Sequence, residues 1–368
     1  MPIILDLQGV QSSQVTVQPS PLAELMSVLH MLAEANHHVD QAAEIRHIDQ
    51  VMPRTLKQNL KDLAPLWARF RVRSLMPLTH HPSAGFEHDM QRLESLELQA
   101  FVTMAAEAIY GARSSSFTNI LTDESEARSF VARADDRSES RGSLANLLVN
   151  HPEDLRSRLI TVLLEAHQTF FSSRWAECLP ALRSMQSDVQ AMLKQQPFAV
   201  VLTALNPGIH YFPSTNQVAF DKLQNAFVPA EDRHYIIVPS YYTRPHTIVK
   251  YDAGYGRSAQ DLPIVIQVPI HNLAVGTRAS VEEIQHRLTV LADPARLNLV
   301  RHLIYEECTT TELARLTGMT IPQVSRHLRR LREAGLLRSE RDGRMIRNRI
   351  NLRTVYALGY DLVTGVMR

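Results

Sequence analysis

The chain predicts an α+β protein: a mostly helical N-terminal body with an antiparallel sheet, then a small C-terminal domain of helices and a hairpin. Three observations carry this. Apolar residues recur at helical spacing, with loops, from about residue 20 to residue 196. Past Gln196, short runs rich in β-branched and aromatic residues take over, bounded by Pro, Gly and Asn. From Ser280 onward, helix caps, a glycine turn and an Asp-Gly hairpin signal follow in close succession.

Taken in order, "IILDLQG" and "QVTVQ" read as strands within residues 1–19. Ser20 followed by Pro21 starts a helix: a capping hydroxyl, then a proline whose missing N–H costs nothing in the first turn. "PLAELMSVLHMLAEA" has helical spacing at Leu22, Leu25, Met26, Leu29 and Leu32. "ESLELQAFVTMAAEAIYG" and "PEDLRSRLITVLLEAHQTFF" are the clearest later helices, and polar "ARADDRSESRGS" (132–143) reads as a mobile connection. "FAVVLTAL", "GIHYF", "HYIIVPSYY", "HTIVKYD" and "LPIVIQVPI" read as strands, with "NPG" (206–208) as a turn. With no long helix between most of them, the sheet, placed at 198–271, is expected to be largely antiparallel. "HNLAVGTRAS" (271–280) is the linker, giving domains 1–275 and 276–368.

Charge separates the two parts. The whole chain has a net charge of only +1, but residues 281–368 hold fifteen arginines, no lysine and ten acidic residues, a net of +5 against −4 for the remainder. A polyanion partner is expected for the C-terminal part alone. Two cysteines far apart, Cys178 and Cys308, exclude a disulfide framework and a four-cysteine zinc site and suit a reducing cytoplasm. "MPIILDLQGV", with Asp6 in its apolar run, does not read as a secretory signal. No apolar stretch approaches the ~18–20 residues that span a bilayer, so no membrane partner is expected.

In the C-terminal part, Ser280 and Glu283 form a capping box before "VEEIQHRLTVLA", and Asp293 caps "PARLNLVRHLIYEE". Thr309 and Glu312 box the next helix, which Gly318 ends in a left-handed conformation. Thr320 and Gln323 then box "TIPQVSRHLRRLREAGLL", which Gly335 stops. Two short helices joined by a tight glycine turn are a helix-turn-helix. At ~100° per residue on its second helix, Ile321, Leu328 and Leu331 fall within ~60° of Val324 and form the core stripe. Gln323, Arg326 and Arg330 fall near the opposite side, with Arg329 flanking. Arginine reads guanine bidentately and glutamine reads adenine when a helix lies in the major groove. Gln323, Ser325 and Arg326 are therefore the expected base contacts, and Thr320, Arg329 and Arg330 phosphate contacts. His327 is expected to be structural. "LLRSERDGRMIRNRIN" reads as a wing hairpin around Asp342-Gly343, with Arg341 and Arg344 flanking the turn as further phosphate contacts.

The segments "LADPARLNLVRHL", "TELARLTGMTIPQVSRHLRRLREAGLL" and "RDGRMIRNRINL" resemble the winged helix of ArsR-type (ArsR/SmtB) bacterial transcription regulators over the last quarter of the chain. Val324-Ser325-Arg326-His327-Leu328 matches that family's Val-Ser-x-His-Leu core. The resemblance implies that Ser325 and Arg326 face DNA. It also implies a homodimer pairing through "VEEIQHRLTVLA" and residues 354–366. The remainder is similar to a larger actinobacterial-type subgroup with an uncharacterised N-terminal domain, through "SPLAELMSVLHML" and "YIIVPSYY". Many members sense soft metals through Cys-x-Cys on the first helix of the motif. Thr309 and Thr311 stand there, with Cys308 one residue off, and hydroxyls do not replace thiolates. Other members use Asp and His on the last helix, where only Asp361 occurs.

The N-terminal histidines His30, His37, His38, His47, His80, His81 and His88 fit no metal-motif spacing. A metal- or haem-sensing alternative rests on His37, His38, His80 and His81. No phosphate-binding Gly-x-x-x-x-Gly-Lys, Gly-x-Ser-x-Gly or His-Glu-x-x-His run occurs, "GYGRSAQ" (254–260) lacks a third glycine, and no enzyme is expected. "PSYYTRPH" (239–246) could line a ligand pocket. The expectation is thus a cytoplasmic homodimeric repressor without a cofactor. It reads an inverted repeat in double-stranded DNA under control of an unknown signal received by the body, with a small-molecule effector as one candidate. A protein-interaction module or enzyme remains the alternative class.

Overall fold

The computed structural model describes residues 2–35, 38, 41–81, 83–111, 117, 119–206, 208–221, 226–229, 233–244, 246–251, 262–270, 281–304, 307–342, 345–351, 354, 355 and 358, with the backbone alone for residues 2, 221, 281 and 340–342. The chain divides into two compact units, Met1–Leu273 and Ala274–Arg368. The linker read at 271–280, the Gly-rich 254–260, Pro207 of the expected turn and most of the expected last helix lie outside the described residues.

The N-terminal unit begins with strands β1 (Pro2–Asp6) and β2 (Val15–Val17). Helices α1 (Pro21–Ala33), α2 (Ala42–Val51), α3 (Arg54–Asp62), α4 (Phe86–Glu94), α5 (Leu98–Tyr110), α6 (Glu124–Asp135), α7 (Glu139–Asn150), α8 (Pro152–Ala166), α9 (Ser172–Gln195) and α10 (Phe198–Leu205) follow. Strands β3 (Ile209–Phe212), β4 (Gln217–Asp221), β5 (Ala226–Val228), β6 (Tyr235–Ser240), β7 (Ile248–Lys250) and β8 (Ile264–Pro269) complete it. The α+β class holds, but the strands form two four-stranded sheets, β3-β4-β1-β5 and β2-β6-β8-β7.

Neither sheet is purely antiparallel. β1 pairs antiparallel with β4 but parallel with β5. β6 runs parallel to both β2 and β8, and only β7 is antiparallel in that sheet. Absence of a helix between the late strands was not the deciding variable. β2 reaches β6 through the whole helical region, and β6 reaches β8 by way of β7. Both β6 and β8 are buried along their full length. Their residues alternate between two cores: Ile236, Val238 and Val265 pack with the helices, while Tyr235, Ile237, Ile264 and Ile266 pack with β1, β4, α9 and α10. Parallel strands covered on both faces read as continuous apolar runs, as "YIIV" and "IVI" do.

Two further expectations are corrected. "FAVVLTAL" is helix α10, not a strand; it buries Phe198, Ala199, Val201, Leu202 and Leu205, a helical spacing that a short apolar run does not distinguish from a strand. Residues 132–143 are not a mobile connection. They are the end of α6 and start of α7, joined by residues 136–138, with Ser138 capping α7 by accepting from Arg141 N at 3.3 Å. The corner is tight at Gly142, where an added Cβ would lie 2.2 Å from Asp135 Oδ1.

Helix α1 starts as read, with Ser20 Oγ accepting from Ala23 N. It is buried all round from Pro21 to Met31, so its polar residues find partners inside. Gln267 Nε2 donates to Ala23 O at 3.2 Å and Ser27 Oγ at 3.0 Å. Glu24 Oε1 accepts from Tyr241 N at 2.7 Å and Tyr242 N at 2.9 Å, but burial dominates and pushes its carboxyl up to about 7. A folded-state pKa above the unfolded value of 4.5 gives stability that is fully present below pH 4.5 and lost as pH rises to about 7. Burial lowers His30 to about 2, which acts in the opposite sense in acid. The difference between wild type and Glu24→Gln isolates the first effect, since glutamine keeps the accepting oxygen. We expect the variant to gain on the order of 3 kcal/mol relative to wild type between pH 4.5 and 7 in denaturant titrations. A pH-independent difference would contradict burial of Glu24.

The C-terminal unit comprises α11 (Val281–Leu291), α12 (Pro294–Leu303), β9 (Cys308–Thr309), α13 (Thr310–Thr317), α14 (Ile321–Glu333), β10 (Leu337–Asp342) and β11 (Met345–Ile350). Asp293 caps α12, accepting from Arg296 N at 3.0 Å. Both capping boxes, Thr309/Glu312 and Thr320/Gln323, are present. The Ser280 half of a third lies outside the described residues. Gly318 ends α13 at φ +71° and Gly335 follows α14 at φ +71°. β10 and β11 pair antiparallel from Leu337↔Ile350 to Asp342↔Met345, and β9 adds a third strand. Among the described residues of the chain, no helix is long and apolar enough to cross a membrane. Nothing lies within 4 Å of a Cβ built on Gly318, so Gly318→Ala meets backbone strain alone. We expect it to cost about 1–2 kcal/mol and to speed amide exchange in α13 and α14. Unchanged exchange protection would contradict a turn that depends on that left-handed residue.

Candidate nucleic-acid interface

Val324, Leu328 and Leu331 of α14 are buried with Leu299, Leu303, Leu313, Leu336 and Ile350, so the helix is anchored by its apolar stripe. Ile321 is not part of that stripe: it is 50% exposed, because the first position of α14 has no neighbouring helix turn above it. Anchoring these residues turns Gln323, Ser325, Arg326, Arg329 and Arg330 to the surface. The helix carries four arginines and a single acid, Glu333.

Partners separate these side chains. Arg326 and Arg330 have no hydrogen-bond or ion-pair partner among the described residues. Arg329 Nε lies 3.9 Å from Glu333 Oε1, an exposed pair that holds the guanidinium weakly. Gln323 Oε1 accepts from Thr320 N at 2.8 Å and Thr320 Oγ1 at 3.0 Å. Gln323 thus closes the helix cap and offers outward only its Nε2 hydrogens. Thr320 sits at the helix N-terminus, where backbone N–H groups and the helix dipole favour anions. His327 is half-buried and its charge helps hold the Asp293 carboxyl below its usual range, after the Arg296 N–H donor that dominates there.

In the hairpin, Asn348 is buried; its Nδ2 donates to Cys308 O at 3.2 Å and its Oδ1 accepts from Ser339 Oγ at 2.8 Å. Arg332 Nε donates to Ser339 Oγ at 3.1 Å, tying α14 to the base of the wing. The Arg341 side chain and all of Arg344 lie outside the described residues. Sequence reasoning assigned no contact role to Arg338, Arg347 and Arg349. Arg338 stands opposite Arg349 in the ladder, and both are exposed. Like charges directly opposite destabilise a strand pair unless an anion joins them. Arg349 reaches Glu307 Oε1 only at 3.7 Å. The period-two "RNRI" run was the available signal.

Among its described residues, the N-terminal unit holds a polar cavity and a histidine cluster. A cavity of about 380 Å³ is lined in part by Glu44, Arg174, Cys178, Tyr241, Tyr242 and Arg244. Tyr241, Tyr242 and Arg244 of the 239–246 run therefore contribute to a pocket wall. Arg174 pairs with Glu44 in that wall, and Arg244 stacks over the Tyr241 ring at 5.4 Å. Burial pushes the Cys178 thiol up to about 12, so it stays protonated. The histidines His37, His38, His80 and His81 do not form one group among the described residues. His37 lies outside them, His80 stacks on His234 and lies tilted against His81, each at 4.1 Å, and His38 joins His30 and His246.

A family of unknown function (DUF5937) matches residues 1–273, and a helix-turn-helix domain family matches residues 291–340. The chain is 39% identical over 74 residues to the HTH-type transcriptional regulator KmtR of Mycobacterium tuberculosis, covering 20% of this chain and 57% of that protein. It thus spans little more than half the length of that relative. Among solved structures, fragment 1–100 of a possible transcriptional regulatory protein from Mycobacterium bovis is 24% identical in its crystal form, over 23% of this chain and 90% of that one, with a TM-score of 0.20. NolR from Sinorhizobium fredii is 25% identical over 26% of this chain and 98% of that one, with a TM-score of 0.20. The match over residues 1–273 covers most of the chain, which belongs to the family of unknown function DUF5937 and carries a C-terminal helix-turn-helix domain followed by a wing hairpin.

Proposed function

We propose that this protein is a sequence-specific transcription regulator of the cytoplasm, a homodimeric repressor that reads an inverted repeat in double-stranded DNA. One observation carries the reading: α14 is anchored by leucines behind a capped glycine turn, with unpartnered Arg326 and Arg330 on its exposed face. A helix so placed in a major groove brings its N-terminal half to base edges. Ser325 and Arg326 are then the base contacts, joined by Gln323 through its Nε2. Thr320, Arg329 and Arg330 take phosphates, and the wing with Arg341 and Arg344 takes the flanking backbone. Two copies are needed for two half-sites, and α11 leaves Leu288 exposed for such a pairing. The name of the mycobacterial relative, a transcriptional regulator, supports the same activity.

The signal enters through the N-terminal unit, and the cavity beside Tyr241, Tyr242 and Arg244 has the size and mixed lining of a small-molecule site. An effector acts only by binding one conformation better than the other.

Titration of labelled duplexes at several salt concentrations tests the assignments. Arg326→Ala is expected to cost about 1–3 kcal/mol at one base pair and to relax specificity there. Arg330→Ala is expected to weaken all sequences alike and to lower the salt slope by about 0.9. Equal losses across every site variant for both substitutions would contradict this division.

A further inference from the structure

Three imidazoles meet inside the N-terminal unit. His30 comes from α1, His38 from the chain just beyond it, and His246 from the connection between β6 and β7. Their ring centroids are 5.1, 5.5 and 5.8 Å apart, all edge to face. One ring nitrogen from each lies within 4.8 Å of the other two. His30 and His38 are buried and His246 is half-buried. We infer that His30, His38 and His246 form a binding site for a divalent transition-metal ion of the zinc class.

The donor arrangement at His30 is specific. Its Nδ1 lies 3.0 Å from Trp67 O, so Nδ1 carries the proton and donates to that carbonyl. The lone pair is then on Nε2, which is buried and has no hydrogen-bond partner among the described residues. A metal-bound histidine is held in the same way, its second nitrogen donating to a backbone carbonyl. Burial and the neighbouring Arg71 and His38 hold the His30 ring neutral, the form that ligates. Neutral, edge-to-face imidazoles in a core would be tolerable packing, but they leave this buried acceptor unsatisfied, which metal coordination repairs. Ligands at ~2.0–2.1 Å in a tetrahedral site stand about 3.3 Å apart, so the rings must close by roughly an ångström.

Arg71 determines the fourth ligand. It is buried, its Nη1 lies 3.5 Å from Thr243 Oγ1, and its Nε and Nη2 have no hydrogen-bond partner among the described residues. Thr243 O in turn accepts from His246 N at 2.8 Å, which ties the guanidinium to the histidine cluster. A divalent cation beside a buried guanidinium favours an anion between them, which offsets part of their joint charge. The fourth ligand is therefore an exogenous anion, a small carboxylate or hydroxide, facing Arg71.

The test uses the full chain without a histidine tag and Co2+ as the probe. One equivalent is expected to bind with the intense visible bands of low-coordinate Co2+, and Zn2+ should displace it. His246→Ala should weaken binding at least ~100-fold, since even outer partners of ligands are worth ~10–100-fold. A double His80→Ala, His81→Ala variant should leave affinity unchanged. Should His246→Ala fail to fold, His246→Cys gives a separate readout: a thiolate-to-Co2+ charge-transfer band places the metal at residue 246. Acetate should shift the wild-type bands, and shift them less in Arg71→Leu. No stoichiometric Co2+ in the folded wild type would overturn the site. So would full affinity in His246→Ala, loss in the His80/His81 variant, or no charge-transfer band in metal-loaded His246→Cys. Acetate that leaves the wild-type bands unmoved would exclude a carboxylate as the fourth ligand. None of these outcomes depends on DNA binding.

Discussion

A charge or polar group that this chain takes out of water has to be answered inside it, and that constraint organises both units. In the N-terminal unit, α1 is buried on every side, so Glu24, Ser27 and His30 must be met by Tyr241 N, Tyr242 N, Gln267 and Trp67 O. Those contacts fix α1 against the ends of β6 and β8, the strands buried on both faces between two cores. In the C-terminal unit, buried Arg296 gives its guanidinium to Val290 O, Thr289 O and Asp293, and buried Asn348 ties the hairpin to β9. The arginines of α14 obey the complementary rule. They remain in water, where a polyanion can still meet them.

Local signals were legible in the sequence. Thr309, Glu312, Thr320 and Gln323 close two helix starts over three residues each, and Gly318 and Gly335 supply left-handed stops, so neighbours along the chain settle the matter. The α14 face was legible for the same reason, since period 3.6 places Val324, Leu328 and Leu331 together. It failed at Ile321, where periodicity continues but the helix has just begun and the side chain stays half exposed. Gln323 shows a second limit: one side chain suited both to a cap and to a base edge is claimed by the nearer partner.

What the sequence hid depends on contacts across long separations. Whether "FAVVLTAL" is helix or strand turns on what covers Phe198 and Leu202. The polar stretch from Ala132 to Ser143 reads as a linker until Gly142 is seen to admit Asp135 at the α6–α7 corner. Parallel pairing of β2, β6 and β8 joins segments separated by most of the unit. His246 lies more than two hundred residues from His30, so no motif spacing could announce that cluster, whereas adjacent His80 and His81 drew attention by proximity alone.

The exposed face of α14 is proposed to read DNA sequence. Selection of the full-length protein on a random double-stranded DNA pool, repeated at two salt concentrations, tests it most directly. An enriched inverted repeat is expected, with half-sites one or more helical turns apart and affinity falling steeply as salt rises. A pool that remains random under conditions where the protein is folded would contradict it.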